Sequence, residues 1–343
     1  MNYLAVDLGT TNIKIALYDE NLKCLTRDGE TAHYEQQEGF VEFNADVYAD
    51  AIMDMSAKIM LETGTLPENV SQVILTGQAE SLVILDAFYK PLMNAISWMD
   101  ERSSEECKIL ESQFPADKVY KRTGQMAMLP TWPATKILWL KRYRPDIFEN
   151  AVYYVLLKDY IVFRLTGKLL ADCSIATFSL YFDIYRKKYW NKMLSACGIR
   201  EDQLPRLSEP CSCAGTLLNG AAGRMGLSEN TRVNIGTLDH FAGMIGTGNI
   251  DSGTVSLSIG TVMALAAITG IPFPSVPADE KSLYTEQTKI AIHYGFLPDS
   301  YVMLPVSESG GICLEWFRNS CLPGVSFDTI DNIIKSRAAG SPG

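Results

Sequence analysis

No stretch of the 343 residues reaches the roughly 18 consecutive apolar positions that a bilayer-crossing helix needs, so no membrane span is expected. A secretory leader is not expected either. Met1-Asn2-Tyr3 leads directly into an apolar run ending at Asp7, with no basic segment ahead of it. Histidine is scarce, three in all, and the eight cysteines include no C-x-x-C pair. Cys211 and Cys213 lie too close together to form one arm of a zinc knuckle. Free, buried thiols in a reducing cytoplasm are the expectation. Basic charge is lacking too. The 30 Lys and Arg stand against 40 Asp and Glu, giving a net charge of −10 with no basic stripe. That balance argues against nucleic acid and anionic membranes as partners. A small polyanion would have to be held by backbone N–H groups, a metal ion and one or two cations. Three phosphate- or nucleotide-binding signatures are also missing: G-x-x-x-x-G-K-[ST], H-R-D with D-F-G, and G-x-G-x-x-G after the first strand.

What is present is an apolar chain, 47% hydrophobic. At about 150 residues per domain its length suggests two domains. Residues 3–32 read as an antiparallel meander: strands at 3–7, 13–18 and 23–27, with a turn at 19–22. Asn44 caps a helix through about Leu61. Strands follow at 70–75 and 81–86, then helices at about 102–114, 133–143, 157–166 and 186–197. Val233–Gly236 reads as a strand and Asp239–Ile245 as a helix of small residues. From Gly253 a strand, a Gly260-Thr261 turn and a second strand echo the opening segment, whose turn is Gly9-Thr10-Thr11. Two similar hairpins suggest a duplicated, two-lobed architecture, lobe one spanning 1–245 and lobe two 246–343. Helices at 309–318 and 330–337 close the chain, and lobe two looks cut short relative to its partner.

The opening turn carries chemistry. Asp7 ends a buried strand, Gly9 lets backbone amides approach an anion, and Thr10 and Thr11 add hydroxyl donors. Lys14 offers a nearby cation. Asp7 could hold Mg²⁺ directly or through water, and a plain hairpin whose polar residues satisfy the turn is the alternative. Gly260 and Thr261 offer the same device from the other lobe, so a triphosphate could be clamped from both sides. Asp239 stands at a strand-to-helix junction. It is either an N-cap or a base that takes the proton of a hydroxyl attacking a phosphate. Gln78, Glu80, Trp98, Asp100, Arg102 and, more weakly, Trp132 form a polar, aromatic set suited to a polyhydroxylated ligand. Core packing of the tryptophans and a local Asp100–Arg102 ion pair are the alternatives.

These residues together resemble the FGGY carbohydrate kinase family. The likeness runs through Asp7-Leu-Gly-Thr-Thr11, Trp98-x-Asp-x-Arg102, Thr135-Lys-Ile-Leu-Trp-Leu140, Lys158-Asp-Tyr-Ile-Val-Phe-Arg-Leu-Thr-Gly167, Asp239, Ser258-Ile-Gly-Thr261 and Gly310-Gly-Ile-Cys-Leu-Glu-Trp316. The resemblance implies two ribonuclease-H-like α/β lobes of the actin/hexokinase/Hsp70 type, with mixed sheets flanked by helices and the second lobe incomplete. It implies ATP and Mg²⁺ as cofactors, Asp239 as catalytic base, Asp7 as the Mg²⁺-associated carboxylate and residues 9–11 and 260–261 as phosphate loops. Gln78, Glu80 and Asp100 then fall in sugar-contacting segments. The implied activity is phosphorylation of a sugar hydroxyl, most nearly that of a xylulokinase-like pentulose kinase, with a homodimer plausible on the same ground. Two departures bear on this. Gly77-Gln-Ala-Glu80-Ser replaces the Gly-Gln-Met-His-Gly of xylulose kinases, and Glu80 stands closer to glycerol kinases, which leaves a glycerol, other polyol or aldonate kinase as the alternative. Family members also continue past residue 343 with a Gly-rich adenosine-binding segment. A sugar-binding fragment that turns over little, or a nucleotide switch acting on proteins, are the other classes considered.

Overall fold

The computed structural model describes residues 1–259, 263–270, 289–307 and 310–337. The opening strand, Asn2–Leu8, buries Leu4, Val6 and Leu8 on one face and leaves Ala5 and Asp7 on the other. The next strand, Asn12–Tyr18, repeats the pattern with Ile13, Ile15 and Leu17 inward. Their register pairs Asp7 with Lys14. Side chains directly opposite in such a pair share a face, so the pairing places Asp7 and Lys14 together on the open side. Cys24–Thr31 completes the expected meander.

Three strands of the six-stranded sheet run parallel: Arg232–Leu238, Val70–Gly77 and Asn2–Leu8. Helix Ala45–Thr63, whose Asn44 side chain accepts from the Asp46 N–H, buries Tyr48, Ile52 and Ile59 in the same core as Leu4 and Ile15. Helix Leu157–Thr166 joins that core through Tyr160, Ile161 and Leu165. A second, antiparallel sheet is assembled from distant short strands in the order Glu35–Gln37, Phe40–Phe43, Ala95–Ile96, Leu82–Leu85 and Tyr153–Leu156. Helix Pro133–Tyr143 lies in the larger core beside it.

The last sheet holds Val255–Ile259, Met263–Thr269, Tyr301–Met303 and Ile292–Tyr294, with Val306–Ser307 also paired to Met263–Thr269. Helices Gly311–Cys321 and Phe327–Lys335 follow. This second lobe is joined to the first by more than the chain. The Ile292 N–H donates to the Gly124 carbonyl at 3.1 Å, and His293 stacks on Phe178 with ring centroids 4.2 Å apart.

Two expectations are corrected. The helix expected over 186–197 begins only at Asn191, because Lys187 adopts a left-handed φ of 50° and Lys188–Tyr189 pairs with Phe182–Asp183. Of the eight free cysteines, only Cys107, Cys173 and Cys197 are buried; Cys24, Cys211, Cys213, Cys313 and Cys321 are exposed.

One glycine is required in the central parallel strands. Gly236 has φ 64°, and a Cβ built there would lie 1.5 Å from the Leu75 carbonyl oxygen of the adjacent strand. Left-handed backbone plus a backbone clash should cost Gly236→Ala about 2–3 kcal/mol or more. A melting temperature lowered by several degrees is the expected result, and an unchanged melt would contradict this account of the bulge.

Candidate active site

The parallel strands end on one edge, and their register aligns Asp7, Thr76 and Thr237 in a row across it. Asp239 follows two residues later as the first residue of helix Asp239–Gly246. Ligands of open α/β sheets collect beyond the carboxyl ends of parallel strands, and both carboxylates lie there.

The Gly9–Thr11 turn leaves Asp7 and returns to Lys14. A side chain at Gly9 would meet the Asn12 carbonyl oxygen at 2.6 Å, so the turn closes this tightly only with glycine. Lys14 Nζ stands 3.6 Å from Asp7 Oδ2. Asp7 Oδ1 is buried and has no hydrogen-bond partner among the described residues. Burial raises the Asp7 pKa; Lys14 opposes the rise and the Asp239 charge adds to it. An unpartnered buried carboxylate oxygen facing another carboxylate is a fitting seat for a cation. The described residues contain no cluster of three or more His, Cys, Asp or Glu that could hold a metal alone. They fit Mg²⁺, which usually takes one or two carboxylates and completes its shell with water and substrate phosphates.

Asp239 Oδ1 accepts from the His240 N–H at 2.6 Å. Its pKa is raised by burial, against which the neighbouring His240, that N–H bond and Lys158 act. Asp239 and its helix line a cavity of about 380 Å³ whose far wall is Ser256–Ser258, Ala264 and Ala266 of the second lobe. A larger space of about 790 Å³ opens on the sheet face beside Asp7, Lys14, Thr76 and Thr237. The helix that begins at Asp239 separates the two, with Gly243 and Met244 toward the smaller and Ala242 and Ile245 toward the larger.

Glu80 is held at a left-handed φ of 60°. Its pKa is pushed up to about 8 by burial, with Lys136 opposing the shift and Asp239 reinforcing it. Lys136 is fully buried; its Nζ donates to the Ser97 and Thr131 carbonyls at 2.6 and 2.8 Å, and burial holds its pKa down to about 7. A carboxyl whose folded pKa exceeds its ordinary value of 4.5 favours folding most below 4.5 and loses that contribution as pH rises toward 8. Glu80→Gln, neutral throughout, should therefore melt progressively higher than the unsubstituted chain as pH rises from 5 to about 7. A constant difference across that range would remove Glu80 as the titrating group.

The remaining predicted residues divide. Trp98 is half-buried against the turn, its Nε1–H donating to Thr10 Oγ1 at 2.9 Å. Gln78 is buried; its Oε1 accepts from Ser81 Oγ at 2.7 Å, while Nε2 reaches the Tyr34 and Tyr48 hydroxyls. Asp100 is wholly buried and accepts from the Val41 and Arg102 N–H groups and from the Arg102 guanidinium through both oxygens. Arg102 also meets Glu42 at 2.7 Å and lies over the Phe40 and Trp139 rings, so this pair braces the wall from behind. Trp132 packs in the core, its N–H on the Ala127 carbonyl. Gly260 and Thr261 lie outside the described residues; the strands flanking them are antiparallel, with Ile259 opposite Met263. Sequence reasoning assigned no part to Lys136 or Lys158, both fully buried. The signal available was a lysine set at the start of an apolar helix.

Mixed sheets flanked by helices, with carboxylates and a tight turn at the ends of the parallel strands, define a protein of the actin-like, ribonuclease-H class. Residues 2–246 match the profile of the FGGY family of carbohydrate kinases, N-terminal domain, and the chain belongs to that family. It is 28% identical over 341 residues to the xylulose kinase of Bacillus subtilis, covering 99% of this chain and 66% of that protein. Ligand-bound xylulose kinase from Lactobacillus acidophilus superposes with TM-score 0.88 at 23% identity, covering 99% of this chain and 66% of that one. Plasmodium falciparum glycerol kinase with ADP gives TM-score 0.85 at 21% identity, covering 98% and 66%. The chain thus spans just under two-thirds of the length of these relatives. No helix among the described residues is long and apolar enough to cross a membrane.

Proposed function

We propose that the protein transfers the γ-phosphoryl group of ATP to a hydroxyl of a sugar, with an open-chain ketopentose of the xylulose type as acceptor. The observation that carries this reading is the opposition of Asp239, at the head of its helix, to Asp7 and the Gly9–Thr11 turn across the ends of the parallel strands. Asp239 takes the acceptor O–H proton as that oxygen bonds to the γ-phosphorus, and the bond to the β-phosphate oxygen breaks with its electron pair leaving on ADP. Such transfers depend on positioning and charge neutralisation more than on covalent help from protein. Asp7 would hold Mg²⁺, which neutralises phosphate charge when bound, and Lys14 and the turn amides and hydroxyls would orient the phosphates. Glu80 and the Trp98 ring would form the acceptor wall, with Gln78, Asp100, Arg102 and Trp132 supporting it.

A glycerol, other polyol or aldonate acceptor is the second reading, favoured by the carboxyl of Glu80 at the position next to Asp239. A coupled ADP-release assay of the 343-residue chain against ketopentoses, polyols and aldonates separates the two. A response confined to xylulose and its epimers is expected. A polyol or aldonate responding alone would replace the acceptor. Silence in the assay, together with no thermal shift from any compound, would overturn the kinase reading.

A further inference from the structure

The Gly9–Thr11 turn is wired to the acceptor wall by a closed ring of hydrogen bonds. On one side Trp98 Nε1–H donates to Thr10 Oγ1 at 2.9 Å. From the same residue the backbone N–H donates to Ser81 Oγ at 3.1 Å, and Ser81 Oγ–H donates to Gln78 Oε1 at 2.7 Å. Gln78 Nε2 then reaches the Gly9 carbonyl at 3.5 Å, and the Tyr48 hydroxyl donates to the same carbonyl at 3.3 Å. Both flanks of the turn are therefore fixed by residues that belong to the other half of the site.

The polarity of the first bond has a chemical consequence. A threonine hydroxyl has one proton to give and two lone pairs to receive. Indole N–H can only donate, so it occupies a lone pair and leaves the Thr10 proton free. Thr10 stands half-exposed at the mouth of the turn, beside Asp7 and Lys14. We propose that Trp98 is a positioning residue for the phosphate turn: its indole N–H orients the Thr10 hydroxyl as a donor toward a bound phosphate, so acceptor and phosphate binding are coupled through one side chain. This rests on the reading of the turn as a phosphate site. An acceptor packed against the Trp98 ring immobilises the indole and, with it, the hydroxyl. By linkage the phosphate then favours the acceptor by the same factor.

The probe is Mg²⁺–tripolyphosphate, which carries no adenosine and so reports on the turn, titrated calorimetrically into the full chain with and without xylulose. Trp98→Phe keeps the ring and removes the N–H; Thr10→Val keeps the shape and removes the hydroxyl. Each should weaken tripolyphosphate binding roughly 3- to 10-fold, the loss expected for one hydrogen bond. The double variant should be no weaker than Thr10→Val alone, because both remove the same interaction. Xylulose should tighten tripolyphosphate binding in the unsubstituted chain and not in Trp98→Phe. Losses that multiply in the double variant, or a xylulose effect that persists in Trp98→Phe, would overturn the coupling while leaving the phosphate site standing. No binding by the unsubstituted chain would overturn the phosphate site and the coupling with it. Should Trp98→Phe fail to fold, the indole N–H resonances of the five tryptophans provide a second measurement. One should move on adding Mg²⁺–tripolyphosphate and lose that response in Thr10→Val; a spectrum that does not change overturns the proposal.

Discussion

Asp239→Asn is expected to lower phosphoryl transfer by about 10²- to 10⁴-fold, the usual contribution of a general base, while changing acceptor affinity by no more than a few-fold. Asparagine retains an oxygen at the position that accepts the His240 N–H at 2.6 Å, so the start of the helix survives. What is lost is the basicity and the negative charge. Burial raises the pKa of Asp239, which shows that the fold holds its charged form at a cost, and its charge also raises the pKa values of Asp7 and Glu80. Neutralising it relieves all three groups. The variant should therefore melt no lower than the unsubstituted chain, the pattern of a residue kept for chemistry rather than stability. ADP release, acceptor binding and a thermal melt on the same preparation decide the matter. Full turnover by the variant would remove Asp239 as the base. A lowered melt with lost acceptor binding would make it a structural cap instead.

The parts of the fold that could be read from the chain are those whose signal is local. Helices 133–143 and 157–166 begin and end where proline, glycine and apolar spacing put them. The meander over the first 31 residues follows from strict alternation, and that alternation also places Asp7 and Lys14 on one face. The antiparallel sheet beside the site was not legible. Phe40–Phe43 pairs with Ala95–Ile96, and Leu82–Leu85 with Tyr153–Leu156. Runs of two to four residues carry no periodicity, and their partners lie 50 or more positions away. The site shows the same division. Asp7, the turn and Asp239 are marked by carboxylate, glycine and threonine at strand ends. The commitment of Asp100 to Arg102, and of Gln78 to Ser81 and the tyrosines, depends on side chains meeting across the fold. Lysines 136 and 158 were hardest to see, because lysine is almost never fully buried unless paired.

That burial makes Lys158 the site of the largest expected loss of stability. Lys158 and Asp172 are both without exposed surface; Nζ donates to Asp172 Oδ2 at 2.6 Å and to the Ile235 carbonyl at 2.8 Å. Asp172 also accepts from the Ser174 N–H and hydroxyl, and Ser174 Oγ lies 2.8 Å from Thr237 Oγ1 and 3.3 Å from the Leu238 N–H. The network thus ends one residue before Asp239. Removing one member of a buried ion pair strands the other, and Lys158→Met should cost about 3–5 kcal/mol in denaturant unfolding. The double variant Lys158→Met with Asp172→Asn should recover a large part of that loss. Asparagine caps the helix that begins at Cys173 in place of aspartate, and no uncompensated charge remains. Two single losses that add in the double variant would mean that Lys158 stabilises the fold through its methylene packing rather than through its charge. Recovery of stability without recovery of ADP release would separate the two tasks of the pair. The fold needs the charges only to balance, whereas the strand end that presents Asp239 needs the Ile235 and Leu238 anchors held where the lysine and Ser174 place them.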